Sequence, residues 1–157
     1  MAKFQFQELI VTEPETARLG AGTGAANNVT DAEIGKPVKL VGDSRYDLCA
    51  AGDAIEGFIT AVESYTADGY SIGSVQFTDR KAVTFDGIQL DGTGVLAVGD
   101  YVVAGTAVAK GTALSVPPKV RKATSQAVTH FTWRVVSLGS AGSGAVGTTG
   151  VIERVNA

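Results

Sequence analysis

From Gly35 onward the chain is punctuated by glycine–aspartate pairs at short intervals, and this limits its fold more than any other feature. PVKLV is followed by GD, YDLCAA by GD, KAVTF by DG, IQL by DG and GVLAV by GD, and a further DG follows IEGFITAVESY. Each pair turns the chain, because Asp bonds back to neighbouring backbone and Gly accepts positive φ without a steric penalty. Turns this dense leave little room for helices. They predict an all-β fold of short strands, as a compact β-barrel or a β-tulip or sandwich. The 20 glycines among 157 residues fit that grammar, at close to twice the ~7% of average chains.

The longest strand candidate is AVTHFTWRVVSL. There Phe131, Trp133 and Val135 share one face, and His130, Thr132 and Arg134 share the other. Large aromatics bury about 150–250 Å² each, so Phe131 and Trp133 are expected in the core. His130, the one histidine, falls on the polar face, where an exposed or interface role is the expectation.

Residues 1–33 differ in texture from residues 34–157. FQFQELIV, Phe4 to Val11, begins with the period-2 alternation of a half-buried strand. The segment after it, TEPETARLGAGTGAANNVTDAEIG, has few large apolar residues and no sustained period, with at most one helical turn at ETARL after Pro14. The expected organisation is therefore an extended N-terminal arm and loose connector over 1–33, and a β-domain over 34–157. The arm's strand either grips a partner or forms an edge strand of its own domain.

Two glycine motifs invite a nucleotide reading. GSGAVG, Gly142 to Gly147, matches G-x-G-x-x-G, but only GTTGVIERVNA follows Val146, too little for the helix, second strand and acidic residue that the dinucleotide turn requires. A Gly/Ser/Ala loop between two strands is the alternative. Gly20, Gly22 and Ala25 match G-x-G-x-x-A without a strand before them.

Other chemistry is excluded on similar grounds. Thirteen Lys and Arg stand against 16 Asp and Glu, for a net charge of −3, which argues against nucleic-acid binding. PPKVRK, with Lys119, Arg121 and Lys122, reads as a solvated loop. The single cysteine, Cys49, precludes an internal disulfide and reads as a small buried hydrophobe. One Cys and one His cannot make a zinc site. The acid pairs Glu13/Glu15 and Asp31/Glu33 fall in the arm, where no fixed separation is held. No G-x-S-x-G elbow occurs, and LDGTG lacks the closing Glu of a calcium loop. No catalytic residue, metal or cofactor is expected. Nor is there a secretory signal or an uninterrupted apolar run of ~18 residues, so the expectation is a soluble chain without membrane contact.

The order of parts from Ile34 to the C-terminus resembles the capsid decoration, or cement, proteins of tailed bacteriophages. The residues that carry the likeness are the G-x-P-V strand of IGKPVKLVGD, then GDAIEGFITAVE, the strand–Gly-Asp–strand of VLAVGDYVVAG, and the closing Gly-rich hairpin with VIERV. The resemblance spans most of 34–157; the arm is longer than a minimal member needs. It implies a β-barrel or β-tulip domain without cofactor, made in the bacterial host cytoplasm and found in the virion on the outer surface of the capsid. There it binds the phage major capsid protein, often as a homotrimer, and stabilises the shell by bridging neighbouring subunits. Phe4, Phe6, Leu9 and Val11 are the candidate capsid-binding residues.

Two alternatives stand beside this. A phage tail or carbohydrate-binding β module would use similar strands. RYDLCA, Arg45 to Ala50, and AVGTTG, Ala145 to Gly150, are similar to motifs of trimeric dUTP pyrophosphatases, but Val146 stands where the base-stacking phenylalanine belongs and the segment with the catalytic Asp and base-sandwiching Tyr has no counterpart.

Overall fold

The computed structural model describes residues 15–21, 28–42, 44–63, 71–89, 93–124 and 132–155. These residues form an all-β body of two five-stranded sheets. Phe4, Phe6, Leu9, Val11, His130 and Phe131 lie outside the described residues.

The first sheet is a closed barrel of β1 (Glu15–Leu19), β2 (Pro37–Gly42), β3 (Arg45–Leu48), β4 (Gly57–Glu63) and β5 (Ser71–Gln76), in the order β1-β3-β2-β4-β5. β1 runs antiparallel to β5, with Glu15 opposite Val75 and Leu19 opposite Ser71, and closes the ring through a parallel contact with β3 at Arg18/Arg45 and Leu19/Tyr46. The expectation for this segment is corrected: ETARL is a strand, not a helical turn. Ala17 and Leu19 alternate into the barrel, where Val29, Val38, Ile59 and Val75 meet them. The loose connector is corrected as well. Val29 and Glu33 are fully buried, so among the described residues 15–21 and 28–33 belong to the β-body.

The second sheet holds β6 (Arg80–Ile88), β7 (Val102–Ala104), β8 (Lys119–Lys122), β9 (Trp133–Ser137) and β10 (Thr149–Arg154), in the order β7-β8-β6-β10-β9. Both outer strands are occupied. Tyr101 bridges to Arg134, Gly99 N–H donates to Val135 O and Val135 N–H to Asp100 O, which brings β9 against the entry to β7. Farther along that same edge β7 exchanges bonds with the Gly52–Asp53 turn, through Ala104 N–H to Asp53 O and Gly52 N–H to Ala104 O. Unpaired strand edges invite association with other strands, and among the described residues these contacts cover part of both outer edges.

β4 joins the two layers. Its consecutive residues Phe58 and Ile59 point to opposite faces, Ile59 into the barrel and Phe58 into a second core with Cys49, Ile55, Val83, Phe85, Trp133 and Ile152. Trp133 and Val135 are fully buried and Arg134 is exposed, as their strand parity predicts.

The Gly-Asp pairs repeat one device. In Ala50–Asp53, Asp53 N–H donates to Ala50 O and Ala50 N–H donates to Asp53 Oδ2; in Ala97–Asp100 the same two bonds recur, at 3.1 Å and 2.8 Å. Gly52 and Gly99 occupy the third position with φ of +90° and +93°, the left-handed conformation that this turn requires there.

Two further expectations are corrected. KVRK is strand β8, in the interior of the second sheet between β7 and β6, and not a solvated loop; Val120 is fully buried, while Arg121 and Lys122 find Asp86 and Asp100. GVLAV is not a strand. It is a connection, pinned by Leu96, whose N–H donates to Gly144 O.

Candidate functional site

GSGAVG lies between two antiparallel strands, β9 and β10, which pair Arg134 with Glu153 and Val135 with Ile152. β10, not a helix, follows its last glycine. The turn is held by Thr148, whose hydroxyl bonds the carbonyls of Ser143 and Ala145, and by Gly147 N–H donating to Phe85 O. Gly144 is required for contact: a Cβ there would stand 1.8 Å from Leu96 O. Gly144 thus serves the close packing of two loops, while Gly142 and Gly147 take positive φ in the turn, the reading of a loop between strands.

Those two loops carry three of the exposed large apolar side chains among the described residues. Val95 is 63% exposed, Val98 61% and Val146 52%. The Leu96–Gly144 backbone bond holds 93–100 against 139–147, while Leu96 itself is buried. A hydrophobic side chain scattered singly on a surface needs no explanation, but several gathered on adjoining loops mark a contact surface. Sequence reasoning missed these residues, because GVLAV reads as a buried strand.

Charged groups elsewhere are mostly paired with one another. Asp86 accepts from Thr106 N–H and hydroxyl, both at 2.8 Å, and from Arg121 Nε at 2.9 Å. Burial pushes its carboxyl upward, but these bonds outweigh burial and hold it below the usual carboxylate range. Glu33 behaves alike: burial is opposed by donors from Gly111 N–H, Thr30 N–H and the Thr30 hydroxyl, with Lys36 beside it, and its carboxyl also falls below the ordinary value. Burial pushes the Cys49 thiol up to about 12, so it is no nucleophile at neutral pH.

Among the described residues no group of three or more His, Cys, Asp and Glu side chains is placed to hold a metal ion, and no helix is long and apolar enough to cross a membrane. Arg45 to Leu48 forms β3, whose backbone pairs with β2 and β1. The RYDLCA segment is thereby explained as structure. The four candidate capsid-binding residues fall before β1 and outside the described residues. No protein-family model, curated protein or solved structure matches this chain.

Proposed function

We propose that the chain is a structural virion protein that binds the outer surface of a phage head and bridges neighbouring subunits of the major capsid protein. The observation that carries this reading is that the barrel completes its strand pairing internally, with Glu15–Leu19 as its closing strand. Of the two roles open to FQFQELIV, partner grip is therefore favoured over service as a barrel strand. Phe4 and Phe6, with Leu9 and Val11, anchor that grip. The exposed valines Val95, Val98 and Val146 supply a second, apolar contact from the body.

The physical logic is mechanical. A pressurised shell fails where subunits separate, and a protein bound across two of them must dissociate before they part. A standard interface of about 1,600 Å² gives micromolar to picomolar binding depending on its anchors. Ordering an extended arm opposes this by about 1–2 kcal/mol per residue fixed, so the anchored part contributes most. An added strand on a capsid sheet edge supplies backbone bonds for affinity and two phenylalanines for specificity. Three copies about a local threefold axis are the arrangement that the resemblance implies. Co-sedimentation of the purified protein with heads lacking it tests the reading.

A further inference from the structure

The connection from β7 to β8, Gly105–Pro118, lies over Lys36–Pro37 and Leu48–Ala50 and lines a partly open cavity of about 300 Å³. Connections longer than about 12–15 residues without regular structure are uncommon in compact domains, and are usually either functional or linker segments. This one is fixed at both ends and in its middle. Thr106 is bound to Asp86, Lys36 Nζ donates to Ala109 O at 3.1 Å, Gly111 N–H donates to Glu33, and Thr84 bonds the carbonyls of Pro117 and Pro118. The space beneath it is therefore held open by a frame.

The walls are of two kinds. Leu48, Cys49, Val108, Leu114 and Val116 make an apolar surface, and the charged residues on the wall are Lys36, Lys110 and Lys119, with no carboxylate among them. Glu33 and Asp86, which pair with Lys36 and Lys119, belong to the frame behind the wall. Lys36 is almost wholly buried, and its ammonium has three N–H groups, of which Glu33 and Ala109 engage two. An apolar chamber with cationic fittings, in a protein of net charge −3, is complementary to a ligand with an apolar tail and an anionic head.

We propose that this cavity binds a single-chain anionic amphiphile of medium length, with its tail among Leu48, Val108 and Leu114 and its head on the lysines. The site is independent of the capsid-binding reading and uses none of its residues.

The test is calorimetric titration of the full chain with decanoate, octanoate and decyltrimethylammonium, each below its micelle concentration. Decanoate is expected to saturate at one per chain. It should bind about fifteenfold tighter than octanoate, since each of the two additional buried CH₂ groups changes affinity roughly fourfold. The cation of the same tail is expected at least about tenfold weaker, by the charge complementarity of the wall. Val108→Trp, which fills the chamber, should abolish binding while circular dichroism shows an intact fold, and Lys110→Glu should weaken decanoate while the same measurement shows the protein still folded. Absence of saturable decanoate binding, equal affinity for anion and cation, or undiminished binding to folded Val108→Trp would each overturn the proposal. So would saturable binding of a peptide of residues 4–13 in place of decanoate, which would assign the chamber to the chain's own N-terminal segment.

Discussion

The rings of Phe58 and Trp133 meet edge to face, with centroids 5.1 Å apart and planes at 85°, and this contact joins the barrel to the second sheet. Both side chains are fully buried. Such pairs are worth about 0.5–1.5 kcal/mol beyond area burial. Phe58→Ala or Trp133→Ala should each lower unfolding free energy by about 3–5 kcal/mol, with a coupling near that aromatic increment when combined. Urea unfolding of the two single variants and the double variant measures it.

Gly144 and Gly142 lie two residues apart in one turn and should respond unequally to alanine. At Gly144 the new Cβ meets the Leu96 carbonyl, whereas at Gly142 it meets open space and only a φ of +58° opposes it. Gly144→Ala should therefore cost about 3 kcal/mol by overpacking, and Gly142→Ala about 1 kcal/mol by its backbone conformation. Thermal melts of both variants provide the comparison. Equal effects would mean that the two loops do not touch.

Acid should destabilise the protein through two identifiable carboxylates. The folded-state pKa values of Asp86 and Glu33 both lie below their ordinary values. Their contribution is thus present above about pH 4, the unfolded carboxylate range, and is lost as the pH falls through the folded values. Asp86→Asn and Glu33→Gln should each lower stability at pH 7 and flatten the fall between pH 5 and 2, in roughly that window. Chemical denaturation at stepped pH reads both effects.

The Cys49 thiol should resist Ellman's reagent at pH 8 in the native protein. With its pKa pushed up to about 12, the thiolate fraction falls by roughly three orders of magnitude from that of a free cysteine. Reaction in 6 M guanidinium should be complete within the usual minutes. Rapid native labelling would place Cys49 at the surface.

The turns were the legible part of this fold, because their chemistry is local. Ala50–Asp53 and Ala97–Asp100 build themselves from four consecutive residues. Trp133 and Val135 were legible for a similar reason, as two-residue periodicity needs no knowledge of a partner. β8 was hidden because its charges read as solvent-seeking, whereas Arg121 is matched by Asp86 and Lys122 by Asp100, each distant in sequence. β1 was hidden because Ala17 and Leu19 are the whole of its apolar face, and only the closing of the barrel on β3 and β5 makes that sufficient. The exposed valines could not be found at all from GVLAV, since the single bond from Leu96 to Gly144 decides which side chain turns inward. The lysine-walled chamber likewise exists only once the Gly105–Pro118 connection is folded over β3.

The proposal that this protein holds a shell together from outside is tested most sharply at its N-terminal segment. Deleting residues 1–12 stops short of Glu15, where the barrel begins. Full-length protein and this deletion would be mixed with phage heads that lack the protein, pelleted, and quantified, alongside their melting temperatures. The full chain is expected to co-sediment at saturable stoichiometry, while the deletion melts at the same temperature and stays in the supernatant. Failure of the full chain to bind heads, or a deletion that binds as well as the full chain, would contradict the proposal.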